Sequence, residues 1–398
     1  MPVQTPSERI AFLRDRVKSA TLPQDLADGV IARLDRLSET VELGSIFDDL
    51  DRIGAYVDWI VNLPWRVRSE DTLDLVRAKQ VLDKNHYGLE EIKNRILEFV
   101  AVIRLSRDRD KTNQNLSSTD VADHSLREWK TNQNLSSTDV ADHSLREWKT
   151  NQNLSSTAYR EGVVHAPILC FVGLVGTGKT TIAYSVAEAL GRKIARIPFG
   201  GMGSSLDLRG QSRVHLEAEP GQIIKVIRKV GFKNPVVLLD EIDRVSDEAR
   251  SSIMGFLLEL LDPEQNHAFQ DYFIDYPFDL SEVLFIATAN NTTNISTAVL
   301  DRLEVIQMPS YTDEEKINIG KNYMLPRVIE ESGLPSEVIH IDDEVWPLIV
   351  RPLGYDAGMR TLERTIEGII RKVAREFVEG KTSKVIITPQ NVRQYLPV

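Results

Sequence analysis

Eight residues, Gly173-Leu-Val-Gly-Thr-Gly-Lys-Thr180, combine glycines, an ammonium and a hydroxyl at the spacing that holds a polyphosphate. The apolar run Ile168-Leu-Cys-Phe-Val172 precedes them and a helical pattern opens at Gly178. Gly173, Gly176 and Gly178, with Thr177 and Thr181 in the same cradle, let the backbone curl so that amide N–H groups face phosphate oxygens. Lys179 would meet the β- and γ-phosphates, and the Thr180 hydroxyl would ligate Mg²⁺. The pattern therefore predicts a site for ATP with Mg²⁺. A second element, Val236-Val-Leu-Leu-Asp-Glu241, reads as a buried strand ending in two carboxylates, at the strand end where open α/β sheets bind ligands. Asp240 would hold Mg²⁺ through its water shell, and Glu241 would polarise the attacking water.

Three further residues acquire meaning only beside those two elements. Asn290 closes Ala287-Thr-Ala-Asn290 and could position the water or sense the γ-phosphate, although a strand-end asparagine is also an ordinary turn residue. Arg302, in Asp301-Arg302, could act as an arginine finger on a neighbouring subunit; by itself it reads as a solvated arginine. Arg360, in Gly358-Met-Arg360 at a predicted helix start, could lie over the same phosphate.

The elements that must position these residues change character along the chain. Residues 1–66 read as helices, with Ile10, Leu13, Val17 and then Leu26, Val30, Leu34, Leu37 at helical spacing and Pro23 between them. A helix over Gly54–Leu63 stops at Pro64. Residues 67–310 are expected to form the nucleotide-binding unit. It opens with a helical pair in which Leu73, Leu75, Ala78, Val81 and Leu82 make one stripe, Gly88 ends the first helix, and Leu89–Leu105 forms the second. Strands are predicted at Ile168–Val172, Ile194–Phe199, Val236–Leu239, Val283–Ala287 and Val305–Met308, with helices opening near Gly178, Gly221, Glu248 and Thr297. This alternation predicts an α/β fold around a parallel sheet. Residues 311–398 read as a smaller helical domain, with helices over Asp313–Tyr323, Asp342–Val350 and Ala357–Glu379 and one strand, Lys384–Thr388.

An insertion at 107–161 interrupts the nucleotide-binding unit. Thr112–Lys130 reads TNQNLSSTDVADHSLREWK, Thr131–Lys149 repeats it letter for letter, and Thr150–Thr157 begins a third copy. So few apolar residues per copy cannot build the continuous face of a solenoid. A polar surface insertion without catalytic duty is expected.

Across 398 residues, 48 Lys+Arg against 59 Asp+Glu give a net charge of −11, which removes a global basic footprint for nucleic acid. One cysteine, Cys170, excludes an intramolecular disulfide and a Cys-rich zinc site. No signal peptide or membrane-spanning run is visible, so a soluble cytoplasmic protein is expected, with neither membrane nor nucleic acid as a partner.

Taken together the motifs resemble the AAA+ module of the Lon proteases. The resemblance is carried by Val57-Asp-Trp-Ile60, Leu63-Pro-Trp65, Asn85-His-Tyr-Gly-Leu89, Phe199-Gly-Gly-Met202, Arg209-Gly210, Leu239-Asp-Glu-Ile-Asp243, Leu261-Asp-Pro-Glu-Gln-Asn266, Leu300-Asp-Arg302 and Asp356-Ala-Gly-Met-Arg-Thr-Leu-Glu-Arg364. It implies an AAA+ P-loop sandwich with a helical N-terminal arm and a C-terminal helical lid. It places His86 and Tyr87 at the adenine pocket and gives Asn290, Arg302 and Arg360 the first-sensor, finger and second-sensor roles. It also implies a homo-oligomeric ring, hexameric in the family, that hydrolyses ATP to drive unfolded polypeptide through a pore in protein quality control.

The chain departs from the family pattern in four places, one of them the small-residue stretch before Leu257, which reads Ser251-Ser-Ile-Met-Gly-Phe256. Leu174 and Val175 stand where two prolines are usual. In the segment Arg213-Val-His-Leu-Glu-Ala-Glu-Pro-Gly221, which corresponds to the pore loop, His215 replaces an aromatic residue, leaving Leu216 to grip substrate. The family's serine–lysine proteolytic domain would begin near Tyr395-Leu-Pro-Val398, so peptidase activity is not expected of this chain and a separate peptidase is a conceivable partner. A regulatory or scaffold ring that binds ATP without threading protein is the alternative reading. A DNA-remodelling AAA+ protein fits the acidic balance and these motifs poorly.

Overall fold

A computed structural model describes residues 5–39, 47–117, 167–215, 217–351 and 358–397. The centre is a five-stranded sheet of β1 (Ile168–Val172), β2 (Ile194–Pro198), β3 (Val236–Asp240), β6 (Leu284–Ala289) and β7 (Leu303–Gln307). All pairs are parallel, in the order β2-β3-β6-β1-β7. Every residue of β3 and β6 is buried, which explains why these strands read as unbroken apolar runs rather than alternating ones. β1 lies between β6 and β7, so the loop leaving its C-terminal end is flanked by the ends of β6 and, one strand further, β3. Cys170 is buried at its middle, and burial pushes its thiol up to about 12, an inert packing group. The α/β class, the parallel sheet, the helical arm and the lid agree with the reading of the sequence.

The N-terminal arm comprises α1 (Pro6–Ser19), α2 (Gln24–Glu39) and α3 (Phe47–Val61). A capping box between Thr5 and Glu8 starts α1, with Pro6 in its first turn. The arm is not a free appendage. Its apolar stripe joins the cluster that fills one side of the sheet. Arg228 stacks over Trp59 at 4.1 Å and Arg213 over Tyr56 at 4.0 Å, and the Tyr56 hydroxyl donates to the Ile274 carbonyl at 3.1 Å. Trp65 packs on Tyr276 and Phe278, in and beside the small antiparallel pair β4 (Phe269–Gln270) and β5 (Pro277–Phe278).

On the other side of the sheet lie α4 (Leu75–Asn85), α5 (Glu90–Ser117) and α6 (Lys179–Leu190). Asp71, just before α4, has a fully buried side chain that pairs with Arg192 and with Arg107 of α5 at 2.7 and 2.8 Å. That triad fastens the 67–74 segment to the sheet. α5 runs past the expected end at Leu105 and into the first repeat copy, because no glycine or proline interrupts residues 90–117. The rest of the repeats falls within 118–166, which lies outside the described residues.

Short helices α7 (Leu206–Arg209), α8 (Gln222–Val230), α9 (Arg250–Leu260) and α10 (Thr297–Leu300) complete this unit. The lid follows. The helix expected over Asp313–Tyr323 is instead α11 (Asp313–Ile319), a π turn (Gly320–Met324) and α12 (Leu325–Ser332). Pro326 supplies no N–H and cannot continue a regular ladder, and the wider turn lets the Leu325 N–H reach the Gly320 carbonyl. Gly320 is required there, since a Cβ would stand 2.8 Å from the Trp346 ring. The helix expected over Asp342–Val350 is a 3₁₀ turn (Asp343–Val345) and α13 (Trp346–Val350). The lid also carries a second strand that the sequence reading lacked: β8 (Ile339–Ile341) pairs in parallel with β9 (Val385–Ile387). α14 (Arg360–Val378) and α15 (Val392–Tyr395) close the fold. The expected start of α14 at Ala357 lies outside the described residues. Among the described residues no helix is long and apolar enough to cross a membrane.

Candidate functional site

β1 ends at Val172 and the chain turns through Gly173–Gly178 into α6. Gly176 and Gly178 sit at φ +85° and +89°, a left-handed backbone that side chains disfavour. Gly173 is constrained differently, because a Cβ would lie 2.8 Å from Met308. The Thr177 hydroxyl braces the turn by donating to the Leu174 carbonyl at 2.9 Å. The Lys179 ammonium donates to the carbonyls of Gly173 and Leu174 at 2.6 and 2.9 Å and to Asn290 Oδ1 at 3.1 Å. Burial pushes its pKa down, and the carboxylates of Asp243, Glu241 and Asp240 pull it back up. A phosphate could replace those carbonyls as its partner.

Asp240 and Glu241 stand at the C-terminal end of β3, across from the loop. Thr288 of β6 ties them together: its hydroxyl donates to Asp240 Oδ1 and accepts the Glu241 N–H at 2.9 Å. The Thr180 hydroxyl lies 3.3 Å from the same Asp240 oxygen. Glu241 occupies a left-handed backbone at φ +58°, unusual for a side chain with a Cβ and of a kind that clusters at functional sites. Asp243 fixes the end of β6 by accepting the Asn290 and Asn291 N–H groups at 3.0 and 3.4 Å. Asn290 thereby faces Lys179, and its buried Nδ2 has no hydrogen-bond partner. A buried amide donor without an acceptor is costly, and an anion such as a phosphate oxygen would satisfy it.

The lid closes the other wall. The Met359 N–H donates to the Gly176 carbonyl at 3.0 Å, and a Cβ on Gly358 would stand 2.4 Å from the Val175 carbonyl oxygen. Arg360 begins α14 at that contact and lines the cavity. At the far end His86 lies 2.9 Å from the Ser185 hydroxyl. Burial, helped by the Lys93 charge, holds its pKa down at about 4, so the ring is neutral near pH 7. Tyr87 meets Tyr323 of the lid at 6.5 Å between ring centroids and accepts from Asn318 Nδ2 at 3.3 Å.

These residues enclose one cavity of about 270 Å³. Its walls include His86, Tyr87, Gly176, Gly178, Lys179, Thr180, Thr181, Asp240, Glu241, Asn290 and Arg360, all singled out from the sequence. One end is largely aromatic and apolar, with Tyr87, Tyr323, Ile319 and Met324; the other carries Lys179, the Thr180 hydroxyl and the Asp240 and Glu241 carboxylates. A base at the first end and a polyphosphate with its cation at the second would fit these surfaces. Gly173 and Thr177 frame the loop without lining the cavity.

The remaining expectations fall elsewhere. Arg302 is not on this cavity. It pairs with Asp262 at 3.2 Å and donates to the Ala298 carbonyl, beyond α10. His215 lines a separate cavity of about 260 Å³ against the arm, with Arg213, Arg52 and Tyr56. Leu216 lies outside the described residues. Sequence reading missed Arg196, Thr288, Tyr311, Tyr323, Arg327 and Glu363. Thr288 had a signal, two places before Asn290 on one face of a strand, but the others approach the site only through the sheet order and the closed lid.

Residues 169–311 match the family model of the ATPase family associated with various cellular activities, and residues 330–386 match that of the Lon protease AAA+ ATPase lid domain. The Lon protease of Dictyoglomus thermophilum is 39% identical over 385 residues, covering 96% of this chain and 41% of that protein. Lon protease 2 of Thermus thermophilus is 40% identical over 344 residues, 86% of this chain and 37% of that protein. The Lon protease of Clostridioides difficile is 36% identical over 384 residues, 96% and 41% respectively. The chain thus spans about two fifths of the length of the curated relatives it matches.

Proposed function

The chain belongs to the Lon protease family as its AAA+ ATPase and lid portion, and from that premise we propose that it binds ATP with Mg²⁺ and hydrolyses it to move polypeptide. The observation that carries this reading is the convergence of Lys179, Thr180, Asp240, Glu241, Asn290 and Arg360 on one cavity in which the Asn290 amide lacks an acceptor. The loop amides and Lys179 hold the phosphates. Thr180 and Asp240 would hold Mg²⁺, which would supply positive charge to the phosphates. Glu241, fixed through Thr288, orients the attacking water. Arg360 and Asn290 add positive charge and a hydrogen bond where negative charge develops. Positioning and charge stabilisation supply most of the rate in this chemistry.

Arg302, displaced from its own cavity, serves the nucleotide of a neighbouring subunit in a homo-oligomeric, six-membered ring. The substrate is an unfolded polypeptide, gripped by the 213–221 segment. A regulatory ring without threading is the second reading, favoured by the polar His215 in that segment.

The test is a pair of variants. Glu241→Gln is expected to bind ATP with wild-type affinity and to lose turnover, because the water loses its orienting carboxylate while the phosphate cradle stays. Lys179→Ala is expected to lose binding. Near-normal turnover in Glu241→Gln removes the assigned role.

A further inference from the structure

Asp240 is already engaged as an acceptor. One carboxylate oxygen takes the Thr288 and Thr180 hydroxyls. The other takes Arg196 twice, through Nε at 2.7 Å and a terminal nitrogen at 2.6 Å. Arg196 comes from β2, where it pairs in register with Leu238, two residues before Asp240 on the adjacent strand. Both nitrogens converge on that one Asp240 oxygen, a charge-assisted contact that leaves the second oxygen to the two hydroxyls. Asp240 is 3% exposed, so its charge requires a compensating cation, whereas the Arg196 side chain is 50% exposed and has solvent to move into. Arg196 also lines the nucleotide cavity, beside Thr180 and Glu241.

We propose that Arg196 is the stand-in cation of this site: it neutralises Asp240 while Mg²⁺ is away and yields to Mg²⁺ when nucleotide brings it. The proposal rests on the ATP–Mg²⁺ reading above and adds a positioning residue to it. Two opposite effects follow. Without Mg²⁺, Arg196 shields the incoming phosphates from the Asp240 charge and so supports nucleotide binding. With Mg²⁺, the same guanidinium competes for Asp240 and weakens the metal's hold. Arg196 therefore flattens the dependence of nucleotide affinity on Mg²⁺. A merely structural ion pair, or an arginine that touches phosphate alone, does not act in opposite directions in the two conditions.

The experiment is an equilibrium titration of the whole chain with an ATP analogue fluorescently labelled on its ribose, first in EDTA and then across a range of Mg²⁺ concentrations. Arg196→Ala is expected to bind the analogue less tightly in EDTA and to reach half of its Mg²⁺-dependent tightening at a lower Mg²⁺ concentration. Each shift should be about tenfold, the scale of one charge-assisted pair. Arg196→Lys keeps the charge with a single donor group in place of two nitrogens and should fall between the wild type and Arg196→Ala. An unchanged Mg²⁺ midpoint in Arg196→Ala, or an equal loss of affinity at every Mg²⁺ concentration, overturns the proposal while leaving the ATP–Mg²⁺ reading intact. A wild-type chain whose nucleotide affinity ignores Mg²⁺ overturns both.

Discussion

At the scale of single residues, the site depends on polar groups held in states that water would not choose. His86 is an instance. Its ring is buried against Ser185 with its pKa held down at about 4, against an ordinary value of 6.5. An unfolded chain protonates this imidazole below about pH 6.5 while the folded chain does not until about pH 4, so protons favour unfolding across that window. The stabilisation is complete above pH 6.5 and is lost as pH falls toward 4. At pH 5 the difference amounts to ~2 kcal/mol, from 1.36 kcal/mol per pH unit. His86→Gln, which can keep a bond to Ser185 and cannot titrate, should lose less stability between pH 7 and pH 5 than the wild type does. Denaturant melts at the two pH values measure this. Equal losses in the two proteins would show that His86 is not buried neutral.

At the scale of elements, the strands show what a sequence can and cannot carry. β1, β3 and β6 are buried on both faces, so each is an apolar run that names itself, and the residues at their ends were legible with them: Lys179 and Thr180 after β1, Asp240 and Glu241 after β3, Asn290 after β6. β4, β5 and β8 have two or three residues each, too few for any period to register. Arg196 and Tyr323 were illegible for another reason, since one reaches Asp240 across the β2–β3 pairing and the other meets Tyr87 from the lid, far away in sequence. The packing of the arm onto β4 and β5 has the same origin in long-range contact. The element most exposed to test is the turn before α14. Gly358 lies against the phosphate loop so closely that Gly358→Ala would drive a methyl group into the Val175 carbonyl, 2.4 Å away. Overpacking of this kind typically costs about 1–3 kcal/mol. The lid can relieve it by backing away, which carries Arg360 out of the cavity. Nucleotide affinity should then fall about tenfold or more while the melting temperature of the unliganded chain moves little. A large drop in melting temperature with affinity unchanged would show that the contact holds the fold rather than the ligand.

At the scale of the whole molecule, one cationic group proposed for the chemistry stands outside the cavity of its own chain. Arg302 follows α10, immediately before β7, and its guanidinium is held outward by Asp262 and the Ala298 carbonyl. No rearrangement of a side chain alone brings it to Lys179, because β7 and β1 are held in register beside each other along their length. A function in phosphoryl transfer therefore requires a second copy whose nucleotide faces this surface. Arg302→Ala should bind ATP as the wild type does, since nothing in the binding cavity changes. Its turnover should fall about 10³-fold or more, the loss expected when a finger arginine is removed. Mixing Arg302→Ala chains with Lys179→Ala chains separates a shared site from a local one. In a mixed ring, some interfaces take Lys179 from an Arg302→Ala subunit and the arginine from a Lys179→Ala neighbour, and those sites are whole. Turnover should rise well above that of either variant alone, in proportion to the fraction of such interfaces. Mixed rings demonstrated by mass and still inactive would mean that Arg302 acts within its own chain or not at all.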